Sequence, residues 1–546
     1  MRAGTLIAAV LAVVVAQMAL AIPAVLNGLF QQDLATSSAQ LTWISDAFLV
    51  PVCVLELTFG VLGDLFGRKR LLVGGALMVA VGLAIGVSTP AGGSRLAVLW
   101  TGQVLSGLGA AAIFPTSLAM IAAGTYSASA RARSVSIWAA ALSAGSCLSP
   151  LLGGLAARFR FGSDPLAGWK WAFLVVLALA LISALVSAIA AQGSSSPEGR
   201  SLDWAGQITI AVALFALLYA FVRGPSDGWR SGPVLAGFLV FAVFLTLFII
   251  VERRSEAPLL RLDFFYNRNF AVASVVTVIG MFAFLGTAYS TSIRLSAIQG
   301  FSPLKTSIAF LFLHATALVQ LPLTIHLLKR HNPKWPLSAG LLLIAAGALW
   351  LATVPAAELS LLPVIAPFIL VGSGFALSLS ALTLIAVNTA PNHLAGMASG
   401  TTNMLRDFGF TLGPAIIGAV ALSQAAAAIR QQLASHPALS DAYAAFLGSP
   451  AHVPAADRPA VEGAVHAVTS GPLGANAVPA TVTTPDGAVV PLNPLKHVAF
   501  NALSHSYSIG FLLCGAAALL AALLAGAGLR PAADEDLPDV EELLGE

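Results

Sequence analysis

The chain has 546 residues, of which 58% are hydrophobic and only 9% charged, against about 25% charged in ordinary soluble domains. A chain this apolar is a polytopic membrane protein, and the polar remainder is too short to hold a separate catalytic domain. The formal net charge of +3 gathers in short loops between apolar runs, so it reads as orientation in a membrane and not as affinity for nucleic acid.

Apolar runs bounded by charge, proline or glycine predict fourteen transmembrane helices, at roughly 5–28, 42–63, 71–90, 98–122, 134–156, 170–191, 204–222, 233–251, 270–292, 306–328, 336–354, 361–388, 397–422 and 499–527. Arg2 and the small residues Ala19-Leu20-Ala21 imitate a cleavable signal around the first run; cleavage leaves an odd number of spans, so the run counts as the first helix. An even count puts both termini on one face. That face also receives Arg68, Lys69, Arg70, Arg131, Arg133, Arg253, Arg254, Arg261, Arg268, Lys329, Arg330 and Lys334, so it is expected to be cytoplasmic. The segment 423–498 then lies outside. Its Ala-rich start has helical periodicity, its TVTTPDGAVVPL stretch predicts a small hairpin, and the whole reads as a tethered ornament more than a substrate lid. The acidic end, 530–546, reads as a solvated cytoplasmic tail. Cys53, Cys147 and Cys514 sit in apolar runs as small hydrophobes, with no spacing for a disulfide or a metal.

A repeat runs at a constant offset of 264: Gly145, Leu148, Pro150 and Gly154 match Gly409, Leu412, Pro414 and Gly418. The same offset carries span 42–63 onto 306–327 and the basic turn at 64–70 onto Lys329, Arg330 and Lys334. The expected architecture is therefore an all-α membrane protein of two pseudo-symmetric six-helix bundles, 1–191 and 269–529, with two inserted helices in 192–268. Repeats of this kind place a substrate site at their interface near the bilayer midplane.

The turn GVLGDLFGRKRLL at 60–72 carries most of the functional information. Gly60 and Gly67 allow close approach and a sharp turn, Asp64 can cap a neighbouring helix, and Arg68, Lys69 and Arg70 hold the loop in the cytoplasm. This pattern resembles motif A of the major facilitator superfamily, which implies a major facilitator fold and a conformational latch at these six residues. GSCLSPLLGG, with Gly145, Pro150, Gly153 and Gly154, is similar to that superfamily's antiporter motif; Ser149 stands where the family usually has glycine. PLLRLDFFYNRNF, GFSPLKT and NMLRDFGFTLG resemble the fourteen-helix drug:H+ antiporter branch, and WISDAFL at 43–49 is similar to quaternary-ammonium exporters, whose acidic residue there is a cation and proton site. Gln103 occupies the place of the family's span-four arginine, a departure that weakens the proton-coupling inference more than the family one.

Ionisable residues inside spans point to the same place, since each costs at least about 2.5 kcal/mol at a lipid-facing helix centre and so should face a cavity or partner. Trp43, Asp46 and Val50 offer one face with an aromatic, a carboxylate and an apolar wall, suited to lipophilic cations. Asp46 is expected in a wet crevice between the bundles, open to the central vestibule. Glu56 is a second proton-site candidate or a structural partner of a polar helix. Arg406 and Asp407 project about 100° apart and are not expected to share a target; Arg406 organises the polar interior and Asp407 carries substrate or protons. His314 could titrate near neutral pH. No nucleotide loop, zinc helix or hydrolase elbow appears, so energy must come from an ion gradient. The expected activity is proton-coupled export of amphipathic, cationic compounds across the inner membrane by a monomer that uses no cofactor; a neutral or anionic metabolite is the second candidate substrate.

Overall fold

The computed structural model describes residues 3–34, 36–90, 94–124, 128–162, 166–195, 202–255, 258, 260, 262–388, 395–449, 458–483 and 489–530. The tail 533–546, the Pro485-Asp486-Gly487 turn and Arg261 lie outside them, as do the side chains of Arg131, Arg133 and Lys329. In chain order the first part holds α1 (Ala3–Ala21), α2 (Pro23–Leu34), α3 (Ser38–Phe66), α4 (Arg68–Val87), α5 (Arg95–Ala123), α6 (Ala128–Ala156) and α7 (Trp169–Ala190). Next come α8 (Trp204–Asp227), α9 (Gly232–Arg254), α10 (Arg268–Ser292) with a π-helical end at Ile293–Ile298, α11 (Pro303–Val319) and α12 (Leu321–Arg330). The remainder is α13 (Lys334–Thr353), α14 (Leu362–Asn388), α15 (Ala395–Ser435), α16 (Pro437–Gly448), α17 (Arg458–Thr469), α18 (Pro472–Ala477), a hairpin and α19 (Lys496–Gly528).

Among the described residues twelve helices are long and apolar enough to cross a bilayer, and the pair α11–α12, bent by 46°, makes a thirteenth. The expected fifth span falls on α6, whose apolar stretch is the shorter Ala140–Ala156, so the count stands one below the fourteen expected. The first expected span, 5–28, is also broken: Pro23 cannot donate the backbone hydrogen bond that would continue α1, and α2 starts there. Span 397–422 is too short a reading of α15, because the alanine run Ala425–Ala428 and the residues after it keep the helix going to Ser435.

Glycines at the repeat offset sit in similar close crossings. A Cβ placed on Gly145 of α6 would lie 2.8 Å from the Val14 carbonyl oxygen and from the Gln17 Cβ of α1. At 264 residues on, a Cβ on Gly409 of α15 would lie 2.6 Å from the Val278 oxygen and 2.9 Å from the Met281 Cβ of α10. Close helix crossings of this kind need a residue without a side chain. The same correspondence runs through the packing: α4 on α5 is repeated by α13 on α14, α3 on α5 by α11 on α14, and α4 on α7 by α13 on α19. Contacts between the two sets run chiefly through α6 against α11 and α3 against α15, and the inserted α8 packs across α3 and α15.

The segment before α19 is not a loose ornament. Phe446, Val468, Leu473 and Val478 are buried in the main core, and the expected hairpin forms with Thr481 opposite Pro491. Asn476 of α18 donates to the Ala297 and Ile298 carbonyls at 2.9 and 3.2 Å, groups that the π-helical end of α10 leaves without an ordinary helical donor.

Candidate functional site

Asp46 is fully buried on α3, and neither carboxylate oxygen has a hydrogen-bond partner among the described residues. The wet crevice expected around it does not reach the carboxylate, because helices from both sets are joined to one another near it. Asn27 of α2 donates to the Ser292 hydroxyl of α10 at 2.9 Å, and Ser292 donates to the Ala24 carbonyl. One turn before Asp46, the Thr42 hydroxyl is 3.1 Å from the Tyr289 hydroxyl of α10. Gln103 of α5, in the place of the family arginine, donates to the Ile44 carbonyl at 3.1 Å and supplies no charge.

Trp43 does not join Asp46. It turns toward α8, with its ring 5.8 Å from that of Phe215, and packs with Val50 against Leu218, Val222 and Ala415. The periodicity of α3 alone gave no sign of this, since the helix that claims that face is inserted about 170 residues later.

Further along α3, Glu56 is 2% exposed, its Oε2 has no hydrogen-bond partner among the described residues, and its carboxyl lies within electrostatic range of Asp407 on α15. Arg406 donates from Nε and Nη2 to the two Asp407 oxygens at 2.7 and 3.1 Å, and from Nη1 to Asn403 at 3.3 Å. Although the two residues project about 100° apart, the arginine stem is long enough to curl round the helix and present its planar fork to the adjacent carboxylate. Around this cluster, Cys53 lies against the Met404 carbonyl, and Gln207 of α8 donates to the Val54 carbonyl at 2.9 Å and accepts from Thr58. The structure thus brings Glu56, Arg406 and Asp407 together and leaves Asp46 apart from them. His314 is elsewhere, on α11, half-buried beside Phe310 with ring centres 6.4 Å apart and no hydrogen bond among the described residues.

At the charged turn, Gly67 has φ 102° and serves both as the last cap of α3 and the first of α4. A residue with a Cβ is strained there. Gly60 is under no such demand, since the nearest atom to a Cβ would be the Pro115 Cβ at 3.6 Å, so its expected close approach is ordinary contact. Asp64 accepts from Arg68 Nε and Nη2 at 2.9 and 2.7 Å, across the turn. Arg68 also donates from its backbone to the Ser194 carbonyl at 2.9 Å and from Nη1 to the Ala119 carbonyl at 3.4 Å, so its side chain ties α3 and α5 to α4 while its backbone holds the chain after α7. Lys69 is half-buried and Arg70 exposed.

On α6, the motif residues divide their contacts between the two sets of helices. Gly145 faces α1, Gly153 faces Val25 of α2, and a Cβ on Gly154 would lie 2.6 Å from the Ser307 hydroxyl of α11. Pro150 lies inside the helix. Ser149, the apparent departure from the motif, is fully buried and donates to the Met18 carbonyl at 2.7 Å, pinning α6 to α1.

One buried cation was missed from the sequence. Arg294, 3% exposed in the π-helical end of α10, donates to the Leu351 and Val354 carbonyls at the end of α13 and lies 5.9 Å from the Phe511 ring. Its signal was available: a lone arginine within the apolar run 270–298 has to find acceptors inside the protein.

A model of the Major Facilitator Superfamily matches residues 7–414. The chain belongs to the Major Facilitator Superfamily. Among relatives in that superfamily, the Multidrug resistance protein Stp of Mycobacterium tuberculosis is 31% identical over 404 residues, covering 74% of this chain and 73% of the relative. The Tetracenomycin C resistance and export protein of Streptomyces glaucescens is 29% identical over 425 residues, 77% of this chain and 76% of that one. The Methylenomycin A resistance protein of Bacillus subtilis is 26% identical over 390 residues, 71% and 81% respectively. The facilitator fold is shared with a bacterial homologue of the human lysosomal transporter Spinster in an inward-facing, occupied conformation, at TM-score 0.61 and 16% identity over 96% of each chain.

Proposed function

We infer that this protein is a drug efflux transporter, and that it exports amphipathic, cationic compounds in exchange for protons. Its relatives' names support efflux of drugs. The cation and proton reading rests on Asp46: an isolated carboxylate buried without a partner is too costly to persist as a bare charge, so it holds either a proton or a cationic guest. Two six-helix bundles, 1–191 and 269–529, rock about this region, with 192–268 inserted between them and the shorter α6 taken as the fourteenth span. Inward-facing Asp46 binds drug, the bundles reverse, and an external proton displaces it. Both termini are then cytoplasmic, at the inner membrane, and one chain suffices.

Energy from the gradient is adequate. A membrane potential of about 100 mV supplies about 2.3 kcal/mol per proton, and each pH unit adds about 1.36 kcal/mol. The Arg68 and Asp64 pair acts as the latch, since moving α3 against α4 or α5 must break it. Glu56, Arg406 and Asp407 join α3 to α15 and serve as a polar contact between the bundles. An anionic substrate held by Arg406 is less well supported, because Asp407 already occupies the guanidinium bidentately.

Everted membrane vesicles test the reading. Asp46→Asn is expected to reach the membrane in normal amount and to lose proton-driven uptake of a lipophilic cationic dye. Retained, gradient-dependent uptake removes Asp46 from the mechanism.

A further inference from the structure

A cavity of about 480 Å3 lies between α3, α8 and α15 beneath the segment α16 to α18. Along α15 its wall is made by residues from Ala415 to Leu433 spaced three or four apart, one helix face over 18 residues, which at about 1.5 Å per residue is close to 27 Å. On α3 it begins at Ser37 and ends at Thr42. Thr42 is the residue hydrogen-bonded to Tyr289, and a Cβ on Gly418 beside them would lie 3.3 Å from the Tyr289 hydroxyl and 3.4 Å from that of Thr42. Asp46 is four residues further along α3, on the same face and one turn deeper. It is not among the residues lining the cavity.

We propose that this cavity is the external chamber of the transport pathway, and that the Thr42–Tyr289 hydrogen bond is the seal between it and Asp46. The chamber carries water, protons and the departing solute; its walls are alanine, leucine, valine and hydroxyl side chains, and Arg430 at its rim is the one charged residue among those lining it. A lone cation at the rim disfavours retention of a positively charged solute, which suits a place of exit and not of storage. Its roof is held by the donors of Asn476 to the end of α10 and of Asn493 to the Ala475 and Val478 carbonyls at 2.7 and 2.9 Å. Ionisable groups on the helices around the seal include Tyr289 of α10 and Tyr507 of α19, both buried, and buried Arg294 in the π-helical end of α10; α5 presents Gln103, and Arg406 and Asp407 of α15 sit with Glu56 deeper in the protein.

The proposal deepens the efflux reading by naming its outer gate, and its test uses accessibility so that it does not require any drug to be transported. In full-length protein with Cys53, Cys147 and Cys514 replaced by alanine, single cysteines are introduced as Ala426→Cys in the chamber wall and Asp46→Cys beyond the seal. Intact cells are treated with a membrane-impermeant methanethiosulfonate. Ala426→Cys is expected to react readily and Asp46→Cys slowly. Adding Tyr289→Phe, which removes one hydroxyl and keeps the ring, is expected to speed the Asp46→Cys reaction about fivefold, the change in an opening equilibrium that one ordinary hydrogen bond is worth. Thr42→Val, which removes the other hydroxyl, should do the same and serves if Tyr289→Phe fails to reach the membrane. An unreactive Ala426→Cys shows that the chamber is not external. An Asp46→Cys rate unchanged by both seal variants shows that the bond is no gate. Loss of drug efflux in Asp46→Asn with unaltered labelling behaviour supports both readings, and retained efflux with the expected labelling overturns only the coupling role of Asp46.

Discussion

Removing one member of the Glu56, Arg406 and Asp407 cluster should cost more than removing two. Arg406 and Asp407 are 12% and 5% exposed at their side chains, joined by two hydrogen bonds. Asp407→Asn leaves a guanidinium buried without its anionic acceptor, a loss worth about 3–5 kcal/mol for a buried pair broken from one side. At about 1.36 kcal/mol per decade, that is a factor of roughly 10^2 to 10^4 in the folding equilibrium. Arg406→Met leaves two carboxyl groups facing each other without a cation and should cost a similar amount. The double variant Arg406→Met with Asp407→Leu removes both charges at nearly constant volume, so it should recover most of either loss; buried pairs replaced by apolar residues are often neutral. The assay is reversible unfolding of the full-length protein in mixed detergent micelles, followed by tryptophan fluorescence. Losses that add to within about 0.5 kcal/mol in the double variant would refute the reasoning, because groups that do not interact behave that way.

Three further outcomes follow from the geometry. Gly67→Ala should destabilise the turn by about 1–2 kcal/mol through its φ of 102° alone, since no atom lies within 4 Å of the new methyl group, whereas Gly60→Ala should be nearly silent; thermal unfolding in detergent separates them. Gly28→Ala sets a methyl group 2.7 Å from the Ser296 carbonyl oxygen where α2 meets the end of α10, so it should part these two ends at a cost of about 1–3 kcal/mol. Electron–electron distances between spin labels on these two ends should lengthen, and an unchanged distribution counts against the contact described here. Ser149→Gly, which restores the family's residue, should lower stability by about 1 kcal/mol because it deletes the donor to Met18.

Most of the helices were legible because a bilayer leaves a chain few options: apolar runs near 20 residues have to become helices. The repeat was legible too, and α11 with α12 falls 264 residues beyond the bounds of α3 to within a residue at its first end. What failed had local physical causes. Pro23 stood in plain sight inside the run 5–28, and hydropathy does not register the break it makes. The helical character of the Ala-rich stretch after 423 was read, but not that it continues α15 unbroken to Ser435, because alanine is a weak hydrophobe and a strong helix former. The contact of Arg406 with Asp407 comes from side-chain reach, which helix angles do not register, while the turning of Trp43 toward Phe215 depended on a helix that no reading of α3 could supply. The burial of Asp46 depends on helices from both sets packing around α3, a property of the assembled bundles and not of any segment.

Competition between a proton and a guest at one carboxyl is most directly measured as proton release. Purified protein in weakly buffered detergent solution, mixed with a saturating lipophilic cation, should release close to one proton per molecule bound, and Asp46→Asn should release none. Binding of the cation with no proton released by the unmodified protein, or with the same release from Asp46→Asn, would contradict the account.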